Sequence, residues 1–280
     1  MNEPVITSRQ NPRVKEAVRL REGRERRQSG RHLIDGEREI RRAVEAGVRP
    51  LMAFVCETGS GGSEKRLLEP LLAEKGAEIL SVTAEVFEKL CFGEREQTGV
   101  VVVAETPRRG LSELERKLPP QPLLAVIEGV EKPGNVGAIL RSADAAGVDG
   151  VIVADGATDL FNPNTIRASL GTVFKTNVVE ATAAETIAWL RVRGLRVVAA
   201  RPEATVEYTS ADLRGGVAMV LGSEAEGLTD AWRSVGAEAV RLPMRGIADS
   251  LNVSTTAAVL FYEAVRQRVK SREHGAGGRE

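Results

Sequence analysis

The stretch Leu123-Leu124-Ala125-Val126-Ile127-Glu128-Gly129-Val130-Glu131-Lys132-Pro133-Gly134-Asn135-Val136-Gly137-Ala138-Ile139-Leu140-Arg141 decides the fold. Its first five residues form an unbroken apolar run, the mark of a parallel strand buried on both faces. Glu128 to Gly134 has loop chemistry, and 135–146 then reads as a helix with Val136, Ile139, Leu140 and Ala143 on one side and Gly147 at its end. A second β-branched strand follows at 151–153. Strand, polar loop, amphipathic helix and strand make one unit of a doubly wound sheet.

Working outward, the same alternation continues to the end. Phe161-Asn162-Pro163-Asn164 opens a helix that closes near Arg167-Ala168-Ser169-Leu170-Gly171. Strands are expected at 195–200, 217–221 and 239–242, and helices at 182–192, 229–235 and beyond Ser254, which is placed to cap the last of them. Towards the amino end, short strands at 31–34, 51–56, 77–82 and 100–104 alternate with helices at 36–46, 64–75 and 84–91, behind a charged helical opening broken at Gly23. The loop Gly59-Ser60-Gly61-Gly62-Ser63 lacks the spacing of a phosphate loop and reads as a flexible surface turn. Four prolines and a mixed charge run mark 107–122 as a connection. The expectation is an α/β protein with a small α/β domain at 1–106, a linker at 107–121 and a parallel-sheet domain at 122–280.

Composition narrows the chemistry. Lys plus Arg equals Asp plus Glu, at 39 each in 280 residues, so total charge says nothing about a polyanionic partner. The distribution is more informative, because 9–31 holds Arg9, Arg13, Lys15, Arg27 and Arg31 among other cations against only Glu16, Glu22 and Glu25. That excess suits a phosphate-facing surface, with a solvated helix face as the competing reading. His32 and His274 are the only histidines, which excludes a Ser-His-Asp triad and a His-rich zinc site. No metal site is expected. Cys56 and Cys91 are isolated, and no leader or long apolar run is present, so a reduced, cytoplasmic protein is expected.

Three loops follow strand ends in the second half, where open α/β sheets bind ligands. The first carries Asn135 and Arg141 around glycines at a helix entry, where backbone can approach an anion. The second, Gly222-Ser223-Glu224-Ala225-Glu226-Gly227, places an acid inside a tight turn and requires a partner for it. The third, Leu242-Pro243-Met244-Arg245-Gly246-Ile247-Ala248-Asp249-Ser250-Leu251-Asn252, crowds polar groups before a helix beyond what one cap needs.

In this order the loops resemble the three signature motifs of the SpoU (TrmH-type) RNA 2'-O-ribose methyltransferases of the SPOUT superfamily, over about 122–268, with a looser likeness in the amino-terminal part. In layout the chain is especially similar to the thiostrepton- and avilamycin-resistance ribosomal RNA methyltransferases. The resemblance implies a parallel-sheet domain tied in a deep trefoil knot that binds S-adenosylmethionine, a ribosomal-protein-like RNA-gripping domain in front of it, and a homodimer packed through the knot, with Val259, Leu260 and Val265 as a candidate face. It implies Asn135, Arg141, Glu224, Ser250 and Asn252 as catalytic positions and Gly222, Leu242, Met244 and Leu251 as cofactor contacts. Arg167 is a candidate RNA contact or a packing residue. Ribosomal RNA is the implied substrate. The alternatives are transfer RNA, a non-catalytic RNA-binding protein of the same fold and, from Gly134-Asn135-Val136-Gly137 with Asp155 after the next strand, a dinucleotide-dependent oxidoreductase that lacks the full glycine fingerprint.

Overall fold

A computed structural model describes residues 5–56, 62–92, 99–156, 158–175 and 177–276. Most of the glycine-serine turn expected at 59–63 lies outside the described residues. The chain forms two compact units, 1–107 together with 159–175, and 108–158 together with 176–280.

The first unit opens with α1 (Pro12–Arg19) and α2 (Gly23–Ser29). Asn11 caps α1, its Oδ1 accepting from Arg13 N at 2.9 Å with Pro12 in the first turn, so the helix starts where its free amides find a partner. Next come β1 (Arg31–Asp35), α3 (Glu37–Glu45), β2 (Pro50–Cys56), α4 (Gly62–Glu74), β3 (Glu78–Val82), α5 (Ala84–Leu90) and β4 (Val100–Glu105). The strands make a mixed sheet in the order β1-β4-β2-β3, antiparallel except for β2 with β3. Val14, Leu33, Phe54, Val82, Phe87 and Val103 share one apolar core.

The chain then passes to the second unit with α6 (Leu111–Glu115), β5 (Leu123–Glu128), α7 (Pro133–Ala146) and β6 (Gly150–Ala154). Within the stretch read as a linker, Leu114 is fully buried in the core beside Leu124, Val126 and Ile152.

After β6 the chain returns to the first unit as α8 (Pro163–Ala168) and α9 (Thr172–Lys175), a course that sequence order had placed in the domain at 122–280. Buried polar groups explain where this segment sits. Arg26, 3% exposed, donates Nε to Asp159 Oδ2 at 2.6 Å, and Arg42 donates to the Leu170 carbonyl at 2.7 Å. The His32 ring lies 5.0 Å from Phe161 and 5.7 Å from Phe174, centre to centre. Burial, with Arg26 nearby, pushes the His32 imidazole down to about 3, so it is neutral at ordinary pH. Gly171, at φ +78°, packs so closely on α3 that a Cβ there would stand 3.1 Å from Glu39 Cα.

The rest of the second unit comprises β7 (Val178–Ala181), α10 (Ala183–Val192), β8 (Arg196–Ala200), β9 (Val206–Glu207), a short 3-10 turn (Tyr208–Ser210), β10 (Val217–Leu221), a longer 3-10 turn (Asp230–Val235), β11 (Glu238–Arg241) and α11 (Val253–Ala276). All seven strands run parallel in the order β7-β6-β5-β10-β8-β11-β9. β7 and β9 were not expected from sequence; β9 is a two-residue exposed edge strand with no period to read. Helices α7 and α11 pack on each other, and α11 also meets β10. The α11 stripe Ala257, Leu260, Phe261 and Ala264 is buried, which removes Leu260 from the apolar face proposed for a partner and leaves Val259 and Val265 half-buried.

Candidate functional site

Because the strands of the second sheet are parallel, their carboxyl ends gather on one edge. β10 lies between β5 and β8, so the loop at 222–229 stands between the loop entering α7 and the loop after β8. The loop after β11 joins them, and together the loops after β8, β10 and β11 line a cavity of about 620 Å3.

Glu224 finds its partner in Asn135, whose Nδ2 donates to Glu224 Oε1. Asn252 Nδ2 in turn donates to Asn135 Oδ1 at 3.2 Å. Three residues from separate parts of the chain thus form one chain of contacts. Asn135 lies within the first turn of α7, behind Lys132 and Pro133, and is not its cap. Asn252 does cap α11: its Oδ1 accepts from Ser254 N at 2.9 Å and from Ser254 Oγ at 2.6 Å, the role that sequence had given to Ser254. The Asn252 side chain therefore has both ends committed, one to the helix and one to Asn135.

Gly222, Leu242, Met244 and Leu251 all line the cavity, as do Ser250 and Asn252. A Cβ on Gly222 would lie 2.2 Å from the Gly227 carbonyl carbon, so the turn closes on itself only with glycine there. Gly227 N donates to Ser223 O at 3.1 Å, and Glu226 N to Ser223 Oγ at 3.1 Å, which finish the turn. Arg141 is exposed on α7, and among the described residues its side chain makes no hydrogen bond or ion pair. It does not line the cavity.

The cationic candidates of the first unit divide into two groups. Arg9 donates to the Glu85 carbonyl and pairs with Glu88, Arg13 pairs with Glu78, Arg31 with Glu16, and Arg167 donates to the Phe92 carbonyl at 2.9 Å. Lys15 and Arg27 are exposed, and among the described residues their side chains hold no partner. Arg167 is half-buried and has the packing contact that was its alternative reading.

Sequence reading missed three residues. Glu128 ends β5 with 4% exposure and both carboxylate oxygens engaged by Thr229. Arg201 and Glu203, just after β8, line the cavity. A charged residue closing an apolar strand was the one available signal for Glu128. No group of His, Cys, Asp and Glu among the described residues could hold a metal ion.

Known proteins resemble both parts of the chain. Residues 122–262 match the model of the SpoU rRNA Methylase family, and residues 11–102 match a model described as MRM3-like substrate binding domain. The 23S rRNA (uridine(2479)-2'-O)-methyltransferase of Streptomyces viridochromogenes is 32% identical over 95% of this chain and 93% of its own length. A crystal structure of an RNA 2'-O ribose methyltransferase superposes with a TM-score of 0.81 at 42% identity, over 95% of this chain and 100% of that one. The SpoU methyltransferase AviRb from Streptomyces viridochromogenes, crystallised with AdoMet, gives 0.83 at 28% identity over 93% of this chain and 99% of that one. The chain belongs to the SpoU rRNA methylase family.

Proposed function

We propose that this protein transfers a methyl group from S-adenosylmethionine to a ribose 2'-hydroxyl of ribosomal RNA. The observation that carries the reading is the Glu224–Asn135–Asn252 contact chain beside a cavity walled by Gly222, Leu242, Met244 and Leu251. The residues present suit the cofactor. The cavity falls within the usual size of small-molecule sites, roughly 300–1,000 Å3. Its charged lining, Glu203, Glu224, Glu226 and Asp249 against Arg201 and Arg241, favours a cationic guest.

S-adenosylmethionine, when bound, supplies an electrophilic methyl group on a positively charged sulfur. The 2'-oxygen forms the new bond to that carbon as the carbon–sulfur bond breaks, and the hydroxyl proton must leave. Arg141, a guanidinium with donors and no acceptor, serves as an orienting cation for RNA phosphate and for charge developing on the oxygen, with Glu224, a phosphate or water taking the proton. Asn252 and Ser250 place ribose and donor, and Asn135 holds Glu224 in line. Lys15 and Arg27 offer unpaired cations to RNA in the first unit. The trefoil knot, the cytoplasmic setting and the homodimer belong to the same reading; exposed Tyr262 and Val269 on α11, at 53% and 48%, suit a subunit face.

The test is transfer of labelled methyl from donor to total ribosomal and transfer RNA, followed by mapping of the ribose-methylated position. Label in ribosomal RNA is the expected result, and no RNA labelling by donor-binding protein would overturn it. Arg141→Lys is expected to lose most of the rate; a near-normal rate breaks the role given to the planar guanidinium.

A further inference from the structure

The loop carrying Glu224 ends at Thr229, and Thr229 is gripped from both neighbouring strands. From β5, Glu128 Oε2 accepts from Thr229 N at 2.8 Å and Glu128 Oε1 accepts from Thr229 Oγ1 at 2.8 Å. From the far side, Arg201, which follows β8, donates Nη2 to the Thr229 carbonyl at 2.8 Å. Since β10 lies between those two strands, the end of its loop is fixed by one charged side chain on each flank. The other end is closed by the turn at Gly222 and Gly227, where a Cβ on Gly222 would meet the Gly227 backbone at 2.2 Å.

Glu128 is 4% exposed, and both of its hydrogen-bond donors are neutral groups of one residue. Burial costs the carboxyl group hydration, and two hydrogen bonds from Thr229 stand in for it. Thr229 is not occupied with the task its position suggests: it precedes the longer 3-10 turn but makes no side-chain cap, its hydroxyl being turned to Glu128. The two side chains are committed to each other at the end of the loop whose residues 222–227 line the cavity.

We propose that Glu128 is a positioning residue, which through Thr229, and with Arg201 opposite, holds the Glu224 loop at the height needed for cofactor binding and methyl transfer. The inference rests on the reading of the cavity as an S-adenosylmethionine site. It assigns Glu128 no contact with substrate.

The test is calorimetric titration of the full-length protein with S-adenosylmethionine, together with melting temperatures, for Glu128→Ala, Glu128→Gln, Thr229→Val and the Glu128→Ala/Thr229→Val pair. A carboxamide keeps an acceptor for the Thr229 amide and can donate to its hydroxyl, so Glu128→Gln should rescue. The expected result is cofactor binding weakened about tenfold or more in Glu128→Ala, within about threefold of wild type in Glu128→Gln, and no worse in the pair than in Glu128→Ala alone. Glu128→Ala binding within about twofold of wild type, or Glu128→Gln as weak as Glu128→Ala, overturns the clamp. Should Glu128→Ala not fold, Thr229→Val carries the test, with about threefold or greater weakening at an unchanged melting temperature expected and unchanged binding overturning it. Failure of wild-type protein to bind the cofactor would bring down the reading of the cavity itself, a result distinct from any of these.

Discussion

Two loops wall the same cavity and are held in opposite ways. The 222–229 loop is closed by a glycine that admits no side chain, bridged within itself, and clamped at Thr229 by Glu128 and Arg201. The loop between β11 and α11 has no hydrogen bond from residues 243–251 among the described residues, and Ile247 in its middle is as exposed as in a free peptide, at 105%. Among the described residues its hydrogen-bonded tie is at Asn252, which caps α11 and reaches Asn135. One wall is held by hydrogen bonds along its length, and the other at its helix end. The lesson is that the polar groups shaping the site need not be those that face the ligand.

The largest effect should come from the single tie of the open loop. Asn252→Asp keeps an acceptor for Ser254, so α11 stays capped, but loses the donor to Asn135 and sets a carboxylate near Glu224. Methyl transfer should fall about 100-fold or more with little change in melting temperature. A wild-type rate would show that the tie does not matter.

Next in size is Gly222→Ala. The added methyl would enter the Gly227 backbone, and a fold cost of about 1–3 kcal/mol with roughly tenfold weaker cofactor binding is expected from melting and titration. Normal binding by this variant would show that the held loop can give.

The same contrast between buried and open polar groups gives a pH prediction in the first unit. His32 is pushed down to about 3 in the folded protein and stands near 6.5 when unfolded. Between those values the unfolded chain binds more protons, so His32's contribution is fully present above pH 6.5 and is lost as pH falls towards 3. Between pH 6.5 and 5 the loss should approach on the order of 1 kcal/mol per pH unit, and His32→Phe should flatten it in a denaturation series. An unchanged slope in the variant would assign the effect elsewhere.

The smallest effect is the control. Gly246, in the open loop, has free space where a Cβ would go, so Gly246→Ala should change stability by no more than about 0.5 kcal/mol. A cost as large as that of Gly222→Ala would abolish the distinction between the loops.

Much of this was legible in the sequence, for identifiable reasons. The run Leu123 to Ile127 could be little other than a buried strand, and the three polar loops followed from punctuation by glycine and proline. Asn135, Glu224 and Asn252 were picked out as separate loop residues, and their mutual contacts are features of the fold that no local pattern contains. Glu128 was passed over because a carboxylate at a loop entry reads as solvated; only the position of β10 beside β5 brings Thr229 to it. The segment 159–175 was placed with its sequence neighbours, since helical periodicity tells which face is buried and not which core receives it.

That last segment sets a timetable. A chain made from its amino end has all four strands of the first sheet in hand by Glu105, yet Arg26 still waits for Asp159, and His32 for Phe161 and Phe174. Those partners emerge only after β5, α7 and β6 have been made. Domains usually fold one after another as they leave the ribosome. Here the first unit cannot finish before the second has begun, and a fragment cut at residue 107 would leave Arg26 with the Leu20 and Arg21 carbonyls but without its carboxylate partner.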